Sequence, residues 1–452
     1  MRPCSSTTRF PAVPDHYDWG LLEPLAFGSD SSPLTGDDAV LAALVTVEAA
    51  LTEAWFDCGF APPWVHEVSV SLEKAAIDGD IIAGGNRAGG NPVIPLIAAL
   101  RSLADRQHEG AGDWVHRGAT SQDILDTGVM LVASRVVVVV IERLNRVCAL
   151  LASLADEHRE SLMPGRTLTQ HAAPITFGAK VAGWLDGVEA AITGLKHIEL
   201  PVQLAGSVGI GSSFVDLTGE TDAPASLRAH LAAGLGLADP GRSWQAERSP
   251  VTNLGFVLAL SLGTLGRIAA DVLVLARTEI SEISEGGAAG SSSAMPQKRN
   301  PATATLILAA AQRSPALLST LLSAMPSPDE RAAGAWHSEW QAARQLLALA
   351  VEVSEASVAL IGGLVVDTGR MRANLDLTAG LVYSEHVLST LTRTLGRADA
   401  TAIVAAAIDS GLPFAAAVPI ELSQSTTLSA AATAVDAALV RHAARLRKRE
   451  DS

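Results

Sequence analysis

Aromatic rings are scarce in this chain. Trp, Tyr and Phe together make up 4% of 452 residues, too few to stack the bases of a single-stranded nucleic acid. Basic charge is also short, with 33 Lys and Arg against 48 Asp and Glu and a formal net charge of −15. That balance opposes sequence-independent binding to nucleic acid or to an anionic membrane surface. The only cysteines, Cys4, Cys58 and Cys148, form an odd, scattered set without a CxxC pair, so neither a disulfide framework nor a structural zinc site is indicated. The N-terminal run Met1 to Arg9 lacks the apolar stretch of a secretion signal. The most membrane-like run, Val129 to Ile141, is interrupted by Ser134 and Arg135 and ends at Glu142-Arg143. It falls short of the roughly 20 nearly uncharged residues that a spanning helix needs, and reads as a buried core helix. The expectation is a soluble, cytoplasmic protein with no membrane and no nucleic-acid partner.

What the chain has in quantity is long apolar helix. Hydrophobic residues are 48% and charged ones 18%, a globular composition with enough length for two or three domains. Leu131 to Arg159 reads as one helix, without Gly or Pro. Phe177 to Glu199, Thr252 to Glu285, Pro301 to Ala324 and Ala335 to Leu364 supply four more. Helices this long and this apolar must pack on several sides, as in a bundle that continues into partner subunits. No repeat period is visible, which argues against a solenoid. Residues 1–115 hold shorter helices, Asp37 to Cys58 and Pro92 to Gln107, separated by Gly/Pro loops such as Gly84 to Pro92. The helices are short again from Asp367, and the basic run Arg441 to Arg449 reads as a solvated helix end. The expected fold is all-α in three domains: residues 1–115, a central long-helix bundle 116–366, and 367–452.

Three segments carry polar residues that bundle loops do not need. The first runs from His116 through Thr120, Ser121, Gln122 and Asp123 to Thr127. Thr120 or Ser121 reads as a helix cap, and a helix start preceded by hydroxyls, His and Arg also reads as an anion site. The second, Gly165 to Gly178, links two bundle helices and gathers Arg166, Gln170 and His171. The third, Gly290 to Pro301, places a Gly/Ser run before Lys298, Arg299 and Asn300. It reads either as a flexible linker or as a lid presenting a serine beside cations to an anionic substrate. Gly206 to Ser212 has a faint dinucleotide-loop pattern, but no strand-turn-helix context supports it. No cluster of His, Asp and Glu has metal-ligand spacing.

The run Ser292-Ser293-Ala294-Met295-Pro296-Gln297-Lys298-Arg299-Asn300-Pro301 resembles the SSxMPxKxNP signature of the fumarase/aspartase superfamily. A matching TSxDxxDT segment lies at Thr120 to Thr127. Within that superfamily the chain resembles the bacterial 3-carboxy-cis,cis-muconate cycloisomerases. The similarity rests on Gly165 to Ala172, on Trp336 to Trp340 following Glu330-Arg331, and on Met371 to Thr378. The resemblance implies a homotetramer whose active sites each draw on three chains, a small tricarboxylate substrate, and no cofactor or metal. It implies Ser292 as the base, or Ser293 after a one-residue slip, with His116 also catalytic. Thr120, Ser121, Gln122, Arg166, Gln170, His171, Lys298, Arg299, Asn300, Arg331 and His337 would contact substrate. Trp336 and Trp340, four residues apart, read as packing.

Two departures bear on mechanism. Fumarases and adenylosuccinate lyases usually carry a His at the position of Leu168, supported by a Glu at that of Thr305, a pair that helps protonate departing hydroxide or amine. Both are absent here. The leaving group of a carboxymuconate lactone is a carboxylate, with a reference pKa of about 4, and needs no proton to depart. The loss therefore fits a lactonising enzyme better than a C–N or C–O lyase such as adenylosuccinate lyase, the alternative reading.

Overall fold

The structure, a computed structural model, describes residues 21–286, 295 and 297–450. Five long helices form the bundle: α2 (Ser121–Glu157), α3 (Phe177–Lys196), α4 (Ser249–Leu275), α5 (Ala302–Ala324) and α6 (Ala335–Gly362). They are preceded by α1 (Asp37–Asp57), and α7 (Ser425–Glu450) closes the described chain. Two small antiparallel pairs, β1 (Leu162–Thr167) with β2 (Gln170–Thr176) and β3 (Ile283–Glu285) with β4 (Leu364–Val366), cap one end. The all-α expectation thus holds for the architecture, with two short ribbons added.

Each bundle helix starts or stops for a local reason. Thr120 is extended at the head of α2, and its N–H donates to the Asp123 carboxylate at 3.0 Å, so α2 begins at Ser121 rather than at Leu131. At Gly128 a Cβ would lie 2.7 Å from the Leu44 side chain, so α1 rests directly on α2 there. Pro315 lies inside α5 without ending it. Its missing N–H leaves the Ala311 carbonyl open, and the Ser314 hydroxyl donates to that oxygen at 2.8 Å.

Four further expectations are corrected. The helix expected from Thr252 to Glu285 ends at Leu275, where the Glu282 N–H turns back to the Leu275 carbonyl at 2.9 Å. The fully buried Glu282 then meets Arg166, and Glu285 accepts from the Thr303 and Ala304 N–H groups at 3.1 and 2.7 Å, capping α5. The segment Gly165 to Gly178 is mostly a β-hairpin arm and not a plain turn between helices. Gly84 to Gly89 is helical within Gly79–Gly89, started by Asp78 accepting from the Asp80 N–H and stopped by Gly90 in the left-handed conformation. The basic C-terminal run is an anchor as well as a solvated end. Arg441 pairs with Asp186 at 2.8 Å, and His442 and Arg445 reach Glu189 at 2.7 and 3.2 Å, holding α7 against α3.

One apolar core joins α1 to α6 and takes in Val435 and Ala438 of α7, while a separate small cluster around Val387, Leu391 and Phe414 lies in the 384–418 segment. Among the described residues, five helical stretches contain a window long and apolar enough by composition to cross a membrane, α2 among them. In α2 that window is mostly covered by neighbouring helices. On α4 and α5, Phe256, Leu260 and Leu322 remain exposed.

Inside the bundle head sits a buried ion triad. Arg248 donates to Asp126 at 2.7 and 3.0 Å and to Glu339 at 2.6 Å, tying the head of α4 to α2 and α6. The Trp336 indole N–H donates to Asp126 at 2.9 Å, so this ring contributes a polar contact beyond its edge-on packing with Trp340 at 4.9 Å. Burial works against the Arg248 charge, yet Asp126 and Glu339 overrule it and hold the guanidinium above its ordinary pKa. Burial pushes the Glu339 carboxyl up, and Arg248 pulls it back. Removing the cation alone leaves two buried carboxylates without a counter-charge. Arg248→Met is therefore expected to cost about 3–5 kcal/mol of stability by denaturant unfolding. Neutralising both acids as well, in Asp126→Asn/Arg248→Met/Glu339→Gln, should recover much of that loss. A single variant as stable as wild type would contradict this account.

Candidate active site

The candidate residues fall into two groups at opposite ends of the bundle. α2 spans 37 residues, so its ends lie on the order of 55 Å apart. His116, Thr120, Ser121 and Gln122 stand at its head. Arg331 joins them, its Nε donating to Gln122 Oε1 at 3.1 Å and its terminal nitrogen to Thr120 Oγ1 at 2.7 Å. His337 is exposed nearby, packed on Trp336 and Trp340 at centroid distances of 5.2 and 4.6 Å. Gln122 is buried and donates to the Gln245 carbonyl at 2.8 Å.

Beyond the tail of α2 the hairpin carries Arg166, Gln170 and His171. Arg166 donates with both terminal nitrogens to Glu282, at 3.0 and 2.6 Å, so in the single chain this cation is already neutralised. Asn374 donates to the same carboxylate at 2.9 Å. Gln170 is exposed. His171 Nδ1 is buried with no hydrogen-bond partner among the described residues. Burial lowers the pKa of its ring and Arg166 lowers it further, which favours a neutral imidazole. The hairpin turns through Leu168 and Thr169, both at positive φ (48° and 70°), an uncommon conformation for side-chain-bearing residues. Leu168 is 96% exposed at this tip. Lys298 and Arg299 are exposed and Asn300 is half-buried, ahead of α5 at the same end. Ser292 and Ser293 lie outside the described residues, as does most of the segment read as a linker or lid.

Several residues that the sequence reading missed hold the first group in place. Glu48, fully buried in α1, places Oε1 2.7 Å from His116 Nδ1. The only sequence signal for it is an acid on a mostly apolar stripe, beside Leu44, Val45 and Leu51. Asp123 accepts from the backbone N–H groups of Thr120, Ala205 and Gly206 at 2.9 to 3.0 Å. Burial pushes its carboxyl up to about 6, against the pull of those donors and of His116. Gly206, at φ 73°, leaves no room for a Cβ, which would meet Ser213 Oγ at 2.7 Å, so the loop from Gly206 to Gly211 turns tightly beside the head of α2. Gln245 reaches the Ser207 and Glu330 carbonyls at 3.2 and 2.9 Å and joins that loop to the Arg331 segment. Apart from the local Thr120–Asp123 cap, no pattern of spacing marks these contacts, because they join segments dozens of residues apart.

The fold also brings together one group of metal-ligand type among the described residues, which sequence spacing did not show. Cys148, Glu189 and His442 are buried, with ligand atoms within 4.8 Å of one another. Arg445 and His442 already sit on Glu189 at 3.2 and 2.7 Å, and burial pushes the Cys148 thiol up to about 12, so the group clamps α7 against α3.

Against known proteins, the family profile described as "Lyase" matches residues 78–314. A nitrosuccinate lyase of Streptomyces davaonensis is 42% identical over 398 residues, 86% of this chain and 83% of that protein. The chain belongs to the fumarase/aspartase superfamily of lyases. A 3-carboxy-cis,cis-muconate cycloisomerase of Pseudomonas aeruginosa is 37% identical over 364 residues, 80% of this chain and 79% of that protein. The crystal structure of the 3-carboxy-cis,cis-muconate lactonizing enzyme from Pseudomonas putida superimposes with a TM-score of 0.80 at 30% identity, covering 90% of this chain and 94% of that one. This member of the lyase superfamily shares its helical architecture with that enzyme over 90% of its length.

Proposed function

We propose that this lyase is a 3-carboxy-cis,cis-muconate cycloisomerase, interconverting that diene tricarboxylate with 4-carboxymuconolactone in aromatic catabolism in the cytoplasm. In the lactone-opening direction Ser292 removes a proton next to a carboxylate. The electron pair is held as an enediolate near Lys298, then collapses to expel the ring carboxylate from the neighbouring carbon. Arg166, Gln170, His171, Arg299 and Asn300 would come from one end of a subunit. His116, Thr120, Ser121, Gln122, Arg331 and His337 would come from the opposite end of others. The separation of these two groups across the bundle supports an assembly in which neighbouring chains complete each site, and Phe256, Leu260 and Leu322 offer apolar surface for it.

The observation that carries the reading is the chemistry of the hairpin tip. Leu168 presents no ionisable group there, and the Thr305 hydroxyl donates to the Pro301 carbonyl at 2.8 Å. Neither side chain is a general acid of the kind that this position carries in fumarases, which favours a group that departs as a stable anion. A carboxylate does, and so does nitrite. The 42% identity to a nitrosuccinate lyase therefore favours a second reading, a lyase that expels nitrite from nitrosuccinate. Loss of diene absorbance with 3-carboxymuconate supports the first reading. Nitrite and fumarate released from nitrosuccinate, with carboxymuconate untouched, support the second.

Three results are expected. Light scattering should give a mass near four times 46.7 kDa, and a dilute monomer with full activity would refute the shared site. Ser292→Ala should lower turnover by at least ~10²-fold without changing that mass, whereas a dead Ser293→Ala beside an active Ser292→Ala would move the base by one residue. Leu168→His/Thr305→Glu should leave the rate level or lower, because a new imidazole and carboxylate need partners that the tip lacks. A clear rise would show that protonation of the leaving group limits the reaction.

A further inference from the structure

Glu48 is fully buried in the apolar face of α1, and only one of its carboxylate oxygens has a partner. Oε1 lies 2.7 Å from His116 Nδ1, while Oε2 is buried without a hydrogen bond among the described residues. A carboxylate taken out of water in this way is retained only where its remaining contact is strong, and a hydrogen bond to an imidazole N–H is of that kind. His116 itself sits at φ 60°, in the left-handed region that a side-chain-bearing residue rarely occupies. The strain is held from both sides. The Ala119 N–H donates to the His116 carbonyl at 3.3 Å, and Arg101 donates to the Val115 carbonyl at 3.3 and 3.4 Å. The Thr52 hydroxyl, one turn along α1, donates to the Glu48 carbonyl at 2.9 Å. The backbone is thus bent to bring one ring nitrogen to Glu48. No hydrogen-bond partner meets the other nitrogen, Nε2, among the described residues, and the ring keeps 11% of its surface open.

We propose that Glu48 is a positioning residue that holds neutral His116 as the Nδ1–H tautomer, so that Nε2 faces the site as a proton acceptor. Free imidazole side chains favour the opposite tautomer, with the proton on Nε2, and the carboxylate reverses that preference by accepting from Nδ1–H. The Asp123 carboxylate is held by backbone N–H groups at the head of α2, which leaves the Nδ1 contact to Glu48. The consequence for reactivity rests on the proposed reading of His116 as a site residue. The tautomer itself does not.

The test uses the full-length, deuterated protein with 15N-labelled histidine, at a pH where the imidazole is neutral, with the His116 signals identified by their loss in His116→Asn. Long-range nitrogen–proton correlations should show Nδ1–H for His116 in the wild type. Glu48→Leu should shift it to the Nε2–H pattern and lower kcat between about ten- and a hundredfold, the scale for losing an orienting partner of a working histidine, with KM nearly unchanged. Glu48→Gln keeps an acceptor oxygen, so it should keep Nδ1–H and retain more activity than Glu48→Leu. It carries the test if the leucine variant does not fold. An Nε2–H wild type, an unshifted tautomer in Glu48→Leu, or an Nε2–H pattern in Glu48→Gln would each overturn the proposal. An enzyme silent on both carboxymuconate and nitrosuccinate would sink the functional reading, and the tautomer would still decide the role of Glu48.

Discussion

The buried triad of Asp126, Arg248 and Glu339 fixes the frame on which the first group of candidate residues rests. It joins three helices at the point where α2 begins, α4 begins and α6 has just begun. Its members are not themselves candidates for chemistry, yet their neighbours are. Gln122 donates to Asp126 at 3.2 Å, and Trp336 lies between Asp126 and the Arg331 guanidinium. An apolar substitute of equal volume would pack as well, but it would not fix the rotation of three helices about one another. The hydrogen-bond directions of a guanidinium do that, at the cost of burying three charges.

The same logic repeats at the other end with different chemistry. Glu282 gathers Arg166 and Asn374, and Glu285 closes the first turn of α5. Both ends of the segment that carries the serine motif are therefore pinned by buried acids, one at the hairpin and one at the helix head. The chain is acidic overall, but apart from Glu352, which bonds the Ser31 side chain, its described buried acids are already engaged with arginines, histidines or backbone N–H groups. Lys298 and Arg299 remain exposed beyond them, where cations meet an anionic ligand with the least competition from the protein's own carboxylates.

Much of this was legible in the sequence, and the parts that were not share a cause. Helix length and apolar content gave the bundle, because burial on several sides leaves a periodic trace. The serine motif and the Thr120 to Thr127 segment gave the superfamily. The β-hairpin was missed because Arg166 to His171 reads as a polar turn, and its two positive-φ residues are Leu168 and Thr169 rather than glycines. The true end of α4 was missed because Ile280 to Glu285 is as compatible with helix as with strand, and only the distant partners of Glu282 decide. Glu48 and the Asp123 loop were invisible for the same reason. Their meaning lies in contacts across 68 and 82 residues of chain, which no local pattern encodes.

The division of the candidate residues between two ends follows from that bundle. A helix as long as α2 separates whatever precedes it from whatever follows it, and α4, α5 and α6 then shuttle the chain between the same two ends. A reactive cluster drawing on both ends cannot close within one such protomer, however the side chains rotate. In the proposed assembly it would close where protomers pack side by side with opposite polarity, so that the hairpin end of one meets the His116 end of another. The exposed apolar residues of α4 and α5 lie along the sides that such packing would cover. On this view the long helices do two things with one geometry: they bury the core, and they make a working site depend on assembly.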